Sequence, residues 1–146
     1  MRRLRGEEGS ALLEFAISST VLFLCLFGIL GLCGALYTYN FVVDAAHEAT
    51  RYAIVRGSNC TGLSNCPLSS NATTASTALQ TYVRNLSYPG INPNNLNLAL
   101  TWSPSNAPGS TVSVTVTYTY PLNIPFWRQS GTILNLTNTS QMTISQ

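Results

Sequence analysis

The feature that most constrains this chain is a long uncharged stretch near its N-terminus. Between Glu14 and Asp44 there is no acidic, basic or histidine residue, and residues 16–36, AISSTVLFLCLFGILGLCGAL, are almost all apolar. A helix rises about 1.5 Å per residue, so about 20 such residues cross the roughly 30 Å hydrocarbon core of a bilayer. The stretch therefore predicts one transmembrane helix over about residues 16–36.

Basic residues precede this span. They are Arg2, Arg3 and Arg5, and two glutamates dilute their charge without removing the cluster. By the positive-inside rule the N-terminus lies in the cytoplasm, and the chain beyond about Phe41 is periplasmic or extracellular. The net charge is only +2 and there is no extended basic patch, so nucleic acid is not an expected partner. The apolar span makes membrane lipid an expected partner instead.

The helical pattern continues above the span. YTYNFVVDAAHEATRYAIVRG has no proline, and no glycine before Gly57; its Tyr37, Tyr39 and Phe41 are interpreted as interface aromatics. Polar residues recur at spacings of three and four, with small and apolar residues on the other side. These polar residues are Asp44, His47, Glu48 and Arg51. One helix is therefore predicted over residues 10–56, with an upper half that packs against the rest of the chain.

The remaining residues, 57–146, are predicted to form an extracytoplasmic head. SNATTASTALQTYVRNL favours a short second helix, capped by Ser70 or Asn71. LNLALTW, STVSVTVTYTY and TILNLTNTSQMTIS alternate as strands, with Pro121 and Pro125 ending the middle one. The predicted fold class is α+β: a long N-terminal helix, a short helix and a roughly three-stranded antiparallel sheet, whose apolar face the helices cover.

Four cysteines divide between the span and the head. Cys60 and Cys66 lie in a short loop of the exported part, so an oxidising compartment favours a disulfide between them. Without a companion histidine they make a poor zinc site, and no metal is expected. Cys25 and Cys33, in the span, are interpreted as small packing residues.

Catalytic chemistry is not expected from this sequence. Asp44 and His47 could be imagined as a catalytic pair, but no nucleophile or third ligand has a special setting, so helix-surface charges are the favoured interpretation. There is no glycine-rich phosphate loop and no nucleophile elbow. The chain is predicted to be non-enzymatic and to need no cofactor.

Glu14 is the residue that distinguishes between interpretations of the N-terminus. A secretory signal peptide has a shorter apolar core and a cleavage site after it. A plain signal anchor explains the arginines and the span but not the acid, which costs up to about 3 kcal/mol at the centre of a membrane helix and less near its end. A further interpretation is that Glu14 merely reaches the cytoplasmic headgroups.

The order of residues at this point resembles a known processing signal. Gly9 and Ser10, three apolar residues, then Glu14 and Phe15 at the head of an apolar helix resemble the class III leader of type IV prepilins. Together with DAAHEATRYAIVRG, the segment GSALLEF resembles the TadE-like family, minor pilin-like proteins of the tight-adherence (Flp) pilus system. The resemblance covers roughly residues 6–57 and extends to the β-rich remainder only in outline.

This resemblance implies a pilin-like fold and a pilus subunit. A prepilin peptidase would cut between Gly9 and Ser10, removing a leader of residues 1–9, and Glu14 and Phe15 would serve recognition and assembly. The implied partners are this peptidase, other Tad pilus subunits and the inner-membrane assembly machinery, in adhesion or secretion. The freed amine of Ser10, cationic at neutral pH, would pair with Glu14 of a neighbouring subunit. The alternative is a signal-anchored extracytoplasmic binding module that is only tethered by its helix.

Overall fold

Two α-helices and a three-stranded antiparallel sheet are the main elements of the computed structural model, which describes residues 4–64, 66–86, 88–122 and 132–145. In chain order they are α1 (Leu4–Ile54), α2 (Ala72–Arg84), β1 (Leu96–Ser103), β2 (Thr111–Leu122) and β3 (Thr132–Thr143). The predicted α+β architecture is confirmed. Residues 1–3 of the predicted leader lie outside the described residues, as does Pro125.

Helix α1 is a single unbroken helix of 51 residues. It begins at Leu4, before the predicted start at residue 10, because the residues preceding Ser10 include good helix formers and no proline. It ends at Ile54, close to the predicted end and just before Gly57. Its upper half buries one stripe of small and apolar residues, Val42, Ala45, Ala46, Ala49 and Ala53. The amphipathic division predicted for this helix is therefore present.

Helix α2 is fixed at its start by Asn71, whose side-chain oxygen accepts a hydrogen bond from the Thr73 amide at 2.9 Å. The cap is therefore Asn71 and not Ser70. The helix buries Ala75, Leu79 and Val83, which share one face at spacings of four. It packs on β1, where the amide of Leu100 donates to the Ser76 hydroxyl at 2.9 Å.

The sheet has the order β1-β2-β3, and each neighbouring pair is antiparallel. As predicted, the alternation of β2 places Val112, Val114, Val116 and Tyr118 in the core. Helix α1 covers β2 and β3, while α2 covers β1. The opposite face carries threonine pairs, with the hydroxyls of Thr115 and Thr139 2.9 Å apart. One face is thus dry and the other is solvated.

The prediction that Pro121 ends the middle strand is wrong. Strand β2 continues to Leu122, and Pro121 pairs with Ile133 of β3. Pairing with β1 stops at Leu96 opposite Tyr118, so the last residues of β2 have a neighbour on one side only. A proline is tolerated at such an edge because an N–H on the open side has no partner strand.

The loop between the helices is closed by the predicted disulfide. Cys60 and Cys66 are bonded, with their Cα atoms 5.7 Å apart, and Cys60 is buried. The guanidinium of Arg56 donates from Nε to the Ser64 carbonyl at 3.0 Å and lies 3.5 Å from the centroid of the Tyr52 ring. The loop is therefore tied to the upper end of α1.

The lower end of β2 lies directly against α1 at Gly34. A Cβ built on Gly34 would lie 2.5 Å from the hydroxyl oxygen of Tyr120, closer than such atoms approach in proteins. Glycine permits this approach because it has no side chain. The hairpin formed by β2 and β3 thus extends down α1 as far as the apolar run.

Replacing Gly34 with alanine is expected to displace the Tyr120 ring and destabilise the head by about 1 kcal/mol or more, as overpacking does. For a head of this size the melting temperature should fall by about 4–8 °C per kcal/mol, measured by thermal unfolding of the full chain in detergent. Gly28→Ala is the matched control, since a Cβ there meets no atom within 4 Å. Equal melting temperatures for the two variants would contradict the contact.

Candidate assembly site on the N-terminal helix

The residues of the predicted processing site lie on the exposed lower part of α1. Gly9 and Ser10 are exposed, and a Cβ built on Gly9 meets no atom within 4 Å. Glu14 and Phe15 follow one turn later and are also exposed. Ser10 and Glu14 are four residues apart, so they lie on the same side of the helix. The fold of the head therefore places no constraint on the side chains at these four positions.

The carboxylate of Glu14 has no ion-pair partner in the part of the chain that the structure describes. Among the residues that the structure describes, no cationic group pairs with its carboxylate; the ion pair found in these ranges joins Arg51 to Glu48 at 3.7 Å. Above Glu14, α1 carries no charged side chain before Asp44. The carboxylate is therefore an isolated charge on an apolar surface.

The surface around Glu14 is apolar on all sides of the helix. Large side chains exposed between residues 12 and 32 include Leu12, Phe15, Val21, Leu22, Phe23, Leu26, Phe27, Ile29 and Leu32. By length and composition α1 can cross a membrane, with a mean hydropathy of 2.3 in its most apolar window and none of that window buried. A helix that is apolar all round and uncovered is suited to lipid or to other helices. It indicates a membrane anchor.

Residues 9–51 match the family model described as TadE-like protein. The N-terminal helix is TadE-like. The match begins at Gly9 and includes Glu14 and Phe15, and it ends within the upper half of α1, before the cysteine loop. It confirms the resemblance carried by GSALLEF and the later helical segment. Comparison with curated proteins and with solved structures gave no match.

The charged stripe of the TadE-like helix includes one contact that the sequence did not predict. Nδ1 of His47 lies 3.2 Å from the hydroxyl oxygen of Ser140 on β3, a residue 93 positions away. Ser140 is only 5% exposed, so its hydroxyl is covered by the helix. The pair links α1 to β3. Within the described ranges no three potential metal ligands come together.

The aromatic residues at the base of the head differ in part from the prediction. Phe41 is not an interface residue: it is 5% exposed and packs in the core against Tyr88 and Tyr118, with ring centroids 4.7 and 6.2 Å away. Phe41 lies on the buried side of α1. Its aromatic character alone does not show which side of the helix it occupies. Tyr37 and Tyr39 remain exposed at 47% and 41%.

Two tyrosine hydroxyls hold the turn after α2 beside the TadE-like helix. The Tyr37 hydroxyl donates to the Pro89 carbonyl at 3.0 Å, and the Asn92 amide donates to the Tyr118 hydroxyl at 3.1 Å. Burial raises the pKa of the Tyr88 hydroxyl, and the carboxylates of Asp44 and Glu48 raise it further. A cleft of about 370 Å³ opens at this turn, with Phe41, Val83, Arg84, Tyr88, Pro89, Ile91, Pro93 and Leu96 as its lining.

Proposed function

We propose that this chain is a non-enzymatic minor pilin-like subunit that helps to assemble a Tad/Flp-type pilus for adhesion or secretion. In this proposal a prepilin peptidase cuts after Gly9, the N-terminus is cytoplasmic, and the head lies in the periplasm or outside the cell. The observation that carries it is the Glu14 carboxylate, which has no ion-pair partner within the described ranges and lies on an otherwise apolar, exposed helix that matches the TadE-like family.

Cleavage after Gly9 is supported by the local character of the helix. A protease site takes its substrate in extended form, so the helix must open at the cut. Glycine in a helix interior costs about 0.5–1 kcal/mol relative to alanine, which favours opening at Gly9. The exposure of Gly9 and Ser10 means that opening there breaks no packing with the head. Removal of residues 1–9 would also remove the arginines that orient the precursor.

Assembly is supported by the change that cleavage makes around Glu14. The shortened helix would begin at Ser10, so Glu14 would lie just beyond its first turn, near the positive end of the helix dipole. That effect is worth at most about 1–2 kcal/mol and leaves the carboxylate without a full counter-charge. The cationic amine of Ser10 in a neighbouring subunit supplies one. The charge is thus costly in an isolated subunit and compensated in an assembly.

The head would present its polar sheet face to its surroundings. Its threonine pairs, Thr115 with Thr139 and Thr117 with Thr137, are hydrogen-bonded and solvated. Other pilus subunits and the inner-membrane assembly machinery are the proposed partners, the former through the apolar helix. No cofactor enters this proposal.

The mass of the mature protein tests this proposal. Protein purified from membranes of the native host should begin at Ser10, as read from intact mass and N-terminal peptides. In a host strain without prepilin peptidase activity the same gene should give the full-length chain, which serves as the control. A chain that begins at Met1 or Arg2 in the presence of an active peptidase would contradict the pilus function and favour a signal-anchored binding module.

A further inference from the structure

The β2–β3 hairpin descends along α1 in a regular order of contacts. Near the top, the amide of Ser145 donates to the Ile54 carbonyl at 3.1 Å, and Ser140 meets His47. Lower down, Tyr118 packs on Phe41, and Tyr120 reaches Gly34. The strands continue past this point, since Leu122 still pairs with Thr132.

This geometry conflicts with a hydrocarbon span over residues 16–36. Two strand residues beyond Tyr120 add about 7 Å, which corresponds to between four and five residues of helix. The end of the paired strands is therefore level with about residue 30 of α1. Placing residues 30–36 in hydrocarbon would place a pair of strand ends there as well, with unpaired backbone groups at the edges of the sheet. Residues 11–30, about 30 Å of helix, provide a span that avoids this.

The side chains at the lower end of the hairpin suit a membrane interface. Leu134, the strand partner of Tyr120, is 41% exposed although it faces the same side as the core. On α1, Leu32 and Leu36 are exposed nearby in the sequence. Exposed Tyr37 lies one turn above Gly34, and tyrosine is enriched where hydrocarbon meets headgroups. The segments that form β2 and β3 contain no charged residue.

We propose that the lower end of the β2–β3 hairpin, with Tyr120 and Leu134, lies in the headgroup region of the leaflet on the head's side, and that the hydrocarbon span is about residues 11–30. The bilayer is the assigned occupant because this surface continues directly into the apolar surface of α1. The inference rests on the membrane crossing in the proposed function. Glu14 lies outside a span of residues 16–36 but about 4–5 Å inside the cytoplasmic edge of a span of residues 11–30. Its carboxylate would then reach the headgroups less easily.

Spin labels on the full-length chain in phosphatidylcholine vesicles test the inference. Cys25 and Cys33 are first replaced with serine, while Cys60 and Cys66 are protected by their disulfide. Labels are then placed singly in Leu134→Cys, Thr139→Cys and Leu24→Cys. Collisions with oxygen, which concentrates in lipid, and with a water-soluble nickel chelate are measured for each label. Thr139 is the matched control, on the same strand but exposed on the solvated face.

The label at position 134 should be severalfold less accessible to the nickel chelate than the label at 139, and the label at 24 should be accessible to oxygen alone. Equal chelate accessibility at 134 and 139, with 24 in lipid, would overturn the inference and leave the anchor intact. Chelate access at 24 would overturn the membrane crossing and this inference together. Shielding of 134 from both reagents, with spin–spin broadening, would assign the surface to a second copy of the chain and overturn the lipid contact.

A label in Leu36→Cys gives a second measurement that does not depend on the hairpin. Leu36 is exposed, so a label there leaves the core intact. Its depth should be that of the headgroups if the span ends near residue 30. A depth well inside the hydrocarbon would restore the span of residues 16–36 and overturn the inference.

Discussion

Gly9→Leu is expected to leave an uncut precursor in the membrane. A branched side chain at the residue before the cut should not enter a narrow protease site, and leucine also strengthens the helix that must open there. The precursor should migrate as a slower band, with an intact mass that includes residues 1–9. Gly9→Ala, a smaller change, should reduce cleavage less.

A substitution elsewhere in the same helix provides the control for Gly9→Leu. Gly28 is also exposed, and a Cβ built there meets no atom within 4 Å. Gly28→Leu adds the same side chain and should be cut normally. Normal processing of the Gly9→Leu chain would argue that Gly9 is not the site of cleavage.

Glu14→Leu is expected to permit cleavage and insertion but to prevent stable association with other pilus subunits. Loss of a paired charge in an apolar setting typically costs about 2–5 kcal/mol, and each 1.4 kcal/mol is a factor of ten in affinity. Recovery of other pilus subunits with the tagged protein should therefore fall at least about tenfold. The measurement is co-purification from solubilised membranes, with the mature N-terminus verified by mass.

Two further variants separate the charge from the shape of the side chain. Glu14→Gln keeps the size and polarity but removes the charge, and should behave like Glu14→Leu if the ion pair matters. Leu13→Ile alters a neighbouring exposed residue that is not part of the candidate site and should retain association. If Glu14→Leu assembles as well as the unchanged protein, the carboxylate only reaches the headgroups and has no role between subunits.

The elements of this fold could be predicted from sequence because each has a clear period. Alternation in β2 identified Val114 and Val116 as core residues, and the small residues of α1 at helical spacing identified its buried stripe. Contacts between distant segments could not be predicted in this way. The pairing of His47 with Ser140 depends on the register of α1 on β3, which no local pattern encodes.

The extent of β2 shows a similar limit. Proline is a reliable strand terminator only where both edges of the strand are paired, and the sequence does not reveal that β1 stops opposite Tyr118. In the sequence Gly34 is likewise one more residue of an apolar run, and nothing there indicates that it admits the Tyr120 ring.

The candidate site shows the opposite balance, since Gly9, Ser10, Glu14 and Phe15 are predicted from the resemblance of their order to a prepilin leader, and their roles stay a prediction. A single chain adds that these side chains are exposed and that Glu14 lacks an ion-pair partner among the described residues. A pairing between subunits has no counterpart within one subunit. The fold of one subunit therefore does not contain the geometry of that pairing.

Helix α1 passes from its bare lower half into the head without a proline or a break. Each added residue of such a helix advances it by about 1.5 Å and turns it by about 100°. In the proposed pilus, the packing of the lower half against other helices would therefore set the direction in which the head faces around the helix axis. Inserting one residue between the two halves would then rotate every head by about 100° around the helix axis, and would leave the contacts of the lower half unchanged.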